Sequence, residues 1–104
     1  MKKIVNRKVY DTETAREIYE WWNELSTRDF AYCCETLYCT KKGNYFLFGE
    51  GGSMSKYAKY IGANEVCGSR KIIPLTKEEV IKWGEKKMSA DAFLAEFGDC
   101  VEEA

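Results

Sequence analysis

The sequence has no histidine and no Cys-x-x-Cys pair among its 104 residues. Histidine is the commonest general base and a frequent metal ligand. An enzyme built from this chain would therefore depend on carboxylates, tyrosines, lysines or thiols. A zinc site is disfavoured as well, because without histidine it would need four well-placed thiolates. We accordingly expect neither a metal nor a cofactor.

Long apolar runs are also missing. No run approaches the roughly 18 residues that a membrane helix needs, and the lysine-containing N-terminus lacks the apolar segment of a secretory signal peptide. We therefore expect a cytoplasmic protein that does not enter a membrane. The five cysteines are an odd number, which disfavours a disulfide framework and predicts free thiols. Cys39 and Cys100 are the two that we expect at the surface.

The composition is that of a small globular protein. Hydrophobic residues make up 45% and aromatic residues 14% of the chain, which is far more than a disordered chain carries. The length predicts a single domain over residues 1–104. A domain this small has a modest core, and homodimerisation is one way in which it could bury more surface. Basic residues outnumber acidic ones up to residue 75 and the balance reverses beyond it, an asymmetry too mild to indicate nucleic-acid binding by itself.

The clearest structural signal runs from Phe30 to Gly52. Aromatic and small residues alternate from Phe30 to Thr40, which predicts a strand. Residues 41–44 predict a turn, and Tyr45 to Glu50 a return strand. Both faces of that return strand are apolar, which favours a central position in a sheet.

The remaining segments predict helices and short strands around this hairpin. Helix-capping residues at 11–14 and apolar residues at helical spacing predict an N-terminal helix. Together they predict an α+β fold, namely a small, mostly antiparallel sheet of three to five strands with that helix and two C-terminal helices packed on it. The other predicted elements are a ribbon over residues 2–10, a short helix over 53–62, an edge strand over 70–75, and helices over 76–87 and 89–97.

Two carboxylates of the hairpin are candidates for chemistry. Glu35 and Glu50 both fall on predicted strands, and on one face they could hold a divalent cation or exchange protons. A structural carboxylate bonded to the backbone or to a basic side chain is the stronger interpretation of Glu35. The Gly-Glu-Gly-Gly sequence after the return strand could cradle a phosphate with its backbone amides, but a tight bend explains these glycines better.

A basic and aromatic stretch follows the hairpin and is the candidate binding surface. Interleaved lysines and tyrosines can contact phosphates and stack on bases, or they can simply form a solvated surface. Lysines at 41–42 and near the N-terminus could extend this surface. We expect it to face RNA or an acidic protein groove. Its residues are Lys56, Tyr57, Lys59, Tyr60, Arg70 and Lys71.

Four segments, in the same order, resemble a known family over nearly the whole chain. They are KIVNRKVYDTETA, DFAYCCETLY-x-TKKG-x-YFLFGEGG, SKYA and IIPLTKEEV-x-KW. The family is a set of small proteins from mobile elements and phages of Firmicutes, some of which are similar to type II-A anti-CRISPR proteins. The chain departs from that pattern at Arg7, where glycine is expected.

The resemblance implies an inhibitor that binds an RNA-guided Cas nuclease, its guide RNA, or both. It supplies no catalytic set, so we expect a binding protein rather than an enzyme. One branch of the family implies truncation of guide RNA, and a metal-dependent ribonuclease using Glu35 and Glu50 is therefore the alternative. A small interaction module with an unrelated partner is the other alternative.

Overall fold

The computed structural model describes all 104 residues, and strands dominate it. Strands take up 41% of the chain, helices including a 3-10 turn over Gly98–Cys100 take up 21%, and the strands form three sheets. Neither helix is long and apolar enough to cross a membrane. In chain order the elements are β1 (Lys2–Val5), β2 (Lys8–Asp11), β3 (Arg16–Trp22), β4 (Cys33–Cys39), β5 (Tyr45–Gly51), β6 (Lys59–Gly62), β7 (Glu65–Cys67), β8 (Ser69–Leu75), α1 (Lys77–Lys87) and α2 (Ala90–Phe97).

The predicted fold class is wrong at the N-terminus, where strand β3 replaces the predicted helix and the first helix begins at residue 77. The register of β3 slips between Glu17 and Tyr19. This irregularity lets Ile18 and Tyr19 both pack on the same core, and so imitates helical spacing. The capping signal has another use too, because the Asp11 carboxylate accepts from the Glu13 amide at 2.9 Å within a turn.

The main sheet is antiparallel, with strand order β3-β4-β5-β8. The predicted hairpin is confirmed, since β4 pairs with β5 from Cys33 opposite Gly51 to Cys39 opposite Tyr45. Strand β5 lies between two neighbours, as its two apolar faces predict. Strand β8 lies at an edge of this sheet, the position that Pro74 predicts because proline has no backbone N–H to donate to a ladder.

The two C-terminal helices cover one face of the sheet, and we call this the helix face. Both begin where the sequence places a cap: Thr76 and Glu79 form a reciprocal capping box, and the Ser89 hydroxyl accepts from Ala92. The helices seal a core made of strand and helix side chains. Its buried members are Leu37, Leu47, Val80, Trp83, Phe93 and Phe97.

The opposite face of the sheet is partly covered by the β1–β2 hairpin. Tyr10 of this hairpin packs with Phe46 and Ile72 in a second, smaller core. The Tyr10 and Phe46 rings meet edge to face at 5.6 Å, and Lys3 donates to the Ile72 carbonyl at 3.3 Å. The predicted N-terminal ribbon is therefore present, with its turn at Asn6 and Arg7.

The predicted helix over residues 53–62 is wrong. Residues 53–57 form turns in which the Ser55 hydroxyl accepts from the Tyr57 amide at 3.1 Å. Serine side chains stabilise such turns by replacing a backbone partner. The chain then continues into β6, which pairs only with β7. We call the β6–β7 hairpin, residues 59–67, the arm.

Candidate functional site

The structure divides the predicted binding residues among three places. Lys59 and Tyr60 lie on the arm. Lys56 and Tyr57 lie in the turn segment before it. Arg70 and Lys71 are neighbours in β8, where successive side chains point to opposite faces of the sheet. The six residues therefore form no single flat patch, but all lie at one end of the sheet, around the base of the arm.

Tyr57 is a core residue, not a surface residue for stacking. Its side chain is almost completely buried and lies across Gly49 on the helix face. A Cβ at Gly49 would overlap the Tyr57 ring. The first glycine of Gly-Glu-Gly-Gly is thus required because the ring passes directly over the backbone there.

Glu35 is fully buried and holds Tyr57 in place. The Tyr57 hydroxyl donates to one carboxylate oxygen of Glu35, and the Trp83 indole N–H donates to the other at 3.0 Å. Lys56 Nζ lies 2.8 Å from the first oxygen. These contacts form what we call the Glu35 clamp, which ties the turn segment and α1 to the middle of the sheet. A buried charge is tolerated when it is paired and hydrogen-bonded in this way.

The clamp keeps Glu35 ionised. Burial opposes ionisation, but hydrogen bonds from Lys56, Tyr57 and Trp83 outweigh it and hold the pKa of Glu35 below its usual range. Burial and the hydrogen bond to Glu35 together raise the pKa of Tyr57. Tyr57 is therefore a neutral donor and Glu35 a charged acceptor, and neither is arranged to exchange its proton near neutral pH.

The other glycines of this region bring backbone segments close together. A Cβ at Gly52 would overlap the Phe30 carbonyl, and one at Gly68 would overlap the Gly51 carbonyl. The Gly52 amide donates to the Tyr32 carbonyl at 2.9 Å and so is not free for a ligand. This supports the tight-bend interpretation of Gly-Glu-Gly-Gly over a phosphate cradle.

Glu50 lies on the face of the sheet opposite to Glu35. Cys34, the neighbour of Glu35 in β4, pairs with Glu50 in β5, and paired residues share a face. Glu50 and Arg70 there line an open cleft of about 380 Å³. The two carboxylates that a metal-dependent ribonuclease would use do not converge, and no group of three or more metal-ligating side chains is present.

The arm is the most exposed element near these residues. Every residue of β6 is exposed, and Tyr60 and Ile61 keep 79% and 58% of their surface accessible. At its base, the Lys56 and Lys71 ammonium groups lie 5.5 and 5.9 Å from the centre of the Tyr57 ring. The arm thus offers an aromatic, an aliphatic and a basic side chain, with two further cations beside it.

The cysteines are mostly buried. The prediction that Cys39 lies at the surface is wrong, because Cys39 is buried together with Cys33 and Cys34. Burial raises the pKa of all three thiols, which makes them poor nucleophiles. Cys100 is exposed as expected.

Lysines at 41–42 and near residues 7–8 do not extend the candidate surface. They lie at the hairpin-turn end of β4 and β5, whereas the arm leaves from the other end. Seven residues of strand separate the two ends by about 20 Å.

The sequence did not predict that Trp83 donates to Glu35 or that Tyr57 is buried. The available signal was Glu35 itself, which alternates with apolar residues on a strand face and so must meet donors if that face is buried. Which donors would reach it depends on contacts 22 and 48 residues away along the chain.

Among known protein families, curated proteins and solved structures, none matches this chain.

Proposed function

We propose that this protein inhibits a type II-A RNA-guided Cas nuclease by binding, with the arm and its basic base as the contact surface for the nuclease or its guide RNA. The resemblance of the sequence to anti-CRISPR proteins supports the target. The observation that carries the mode of action is the arm, whose Tyr60 and Ile61 are exposed beside Lys59. Exposed aromatic anchors flanked by cations suit both protein interfaces and single-stranded RNA.

The geometry favours binding over cleavage. Glu35 has both carboxylate oxygens engaged, and Glu50 lies on the other face of the sheet. Glu35 and Glu50, the two carboxylates named for the ribonuclease alternative, are therefore not placed to hold one metal together.

The test is a nuclease cleavage assay in which the protein is added before or after guide RNA. Inhibition is expected, and the double variant Lys59→Ala/Tyr60→Ala should need about tenfold more protein for the same effect, because truncating a central aromatic anchor typically costs 1 kcal/mol or more. Lys82→Ala, on the outer surface of α1, is the matched control. Full cleavage with wild-type protein in both orders would overturn the proposal, and shortened guide RNA in the presence of Mg²⁺ would replace it with the ribonuclease.

A further inference from the structure

Two hairpin turns meet at the end of the sheet remote from the arm. One is the β1–β2 turn at Asn6 and Arg7, and the other is the β4–β5 turn over residues 40–44. Lys8 Nζ donates to the Asn44 side-chain oxygen at 3.2 Å and joins the two. Between them lies a cleft of about 380 Å³, which we call the tip cleft.

The tip cleft is lined by positive charge without compensation. No acidic residue lines it, and its four cations are Arg7, Lys8, Lys41 and Lys42. None of these forms an ion pair, because the ion pairs of the structure use other basic residues. Like charges held this close repel one another unless an anion lies between them.

Hydroxyl groups complete the polar lining. Thr14 and Thr40 both border the cleft. The Thr40 hydroxyl oxygen accepts from the Asn44 amide at 3.1 Å, so its proton remains available for a ligand oxygen. Cations together with hydroxyl donors are what phosphate oxygens meet in nucleic-acid complexes.

The backbone at Arg7 is held in a strained conformation. Its φ is 65°, and φ of the preceding Asn6 is 51°. Asparagine adopts this left-handed region readily, but the second position of such a turn strongly favours glycine. An arginine there costs of the order of 1 kcal/mol and puts a guanidinium beside three lysines.

We propose that the tip cleft binds the phosphodiester backbone of nucleic acid without reading its sequence. No aromatic side chain lines the cleft to stack on a base, so its donors can recognise phosphates alone. A neighbouring cleft shares Lys8 and Asn44 and adds Lys77, but Glu79 and two tyrosines line it as well. The uncompensated cationic lining is therefore that of the tip cleft itself, whose four cations can meet successive phosphates of one strand. This site lies about 20 Å from the arm and does not depend on the proposed nuclease inhibition.

The test is fluorescence anisotropy with a labelled single-stranded oligouridylate at 50 and 200 mM NaCl. Four phosphate contacts to a single strand predict that affinity falls about 50-fold between these salt concentrations. The double variant Lys41→Gln/Lys42→Gln should bind more weakly and lose only about sevenfold over the same range. Lys82→Gln/Lys86→Gln removes the same charge from the outer surface of α1 and should behave as wild type.

Arg7→Gly separates binding from folding. It removes one cation but relieves the backbone, so the variant should be at least as stable as wild type while binding RNA more weakly. Absence of RNA binding at 50 mM NaCl, unchanged binding in the tip variants, or an equal loss in the α1 control would overturn the inference. Equal displacement of the oligonucleotide by a mononucleotide at matched phosphate concentration would overturn it too, because one phosphate cannot contact all four cations of the tip cleft.

Discussion

Removal of one hydroxyl from the Glu35 clamp tests how much the clamp contributes to stability. Tyr57→Phe keeps the ring over Gly49 and deletes only the O–H that donates to Glu35. A hydrogen bond to a charged group contributes about 1.5–3 kcal/mol. Glu35 would keep Trp83 and Lys56 as donors, so we expect a loss of about 2 kcal/mol, or a fall in melting temperature of about 10 °C.

The assay is urea unfolding followed by tryptophan fluorescence. The Trp83 indole belongs to the clamp, and Trp21 and Trp22 of β3 emit as well, so the signal follows unfolding of the sheet together with the clamp. Tyr60→Phe is the matched control, because it deletes a hydroxyl from a side chain that is 79% exposed. We expect the control to stay within about 0.5 kcal/mol of wild type.

A double-mutant cycle identifies the partner of the hydroxyl. If it acts on the Glu35 charge, Tyr57→Phe and Glu35→Gln should be non-additive by about 1 kcal/mol or more. A Tyr57→Phe variant as stable as wild type, or strictly additive effects of the two substitutions, would refute the reasoning that the clamp holds a charged carboxylate.

Two further predictions concern the same region. Gly49→Ala should destabilise the protein by about 1–3 kcal/mol, because its methyl group overlaps the Tyr57 ring; thermal unfolding measures this, and Gly98→Ala, where a Cβ meets nothing, should stay close to wild type. The pKa of Glu35 is lower folded than unfolded, so its contribution is complete above the unfolded value of about 4.3 and is lost as pH falls through the folded value. Wild type should therefore lose more stability than Glu35→Gln between about pH 5 and 2, and parallel stability curves for the two would contradict the assignment.

The hairpin, the edge strand and both C-terminal helices follow from local sequence signals. Thr76 and Ser89 mark helix starts, and alternation marks β4 and β5. Such signals act over a few residues, which is why they can be read without knowledge of the fold.

The predictions of an N-terminal helix and of a helix over residues 53–62 were wrong for different local reasons. In β3 an irregular register gave a strand the apolar spacing of a helix. In the turn segment, Tyr57 is buried by a contact with Gly49 and Glu35 rather than by a helix face of its own. Both outcomes depend on tertiary contacts that override local propensity.

The position of the arm could likewise not be predicted from the sequence. Lys56 through Lys71 reads as one basic and aromatic run, but strand alternation sends Arg70 and Lys71 to opposite faces and burial removes Tyr57 from the surface. The other five predicted residues are all exposed, but only Lys59 and Tyr60 among them lie on the arm.

Both ends of the arm are anchored at Tyr57. The chain enters the arm directly after Tyr57, and the Ser69 hydroxyl, just past its exit, donates to the Tyr57 carbonyl at 2.6 Å. Tyr57 is in turn fixed by Glu35 in the middle of the sheet. Because both ends of this hairpin are fixed, its direction relative to the sheet varies little. A partner that binds its tip therefore removes little orientational freedom, and association loses correspondingly less entropy.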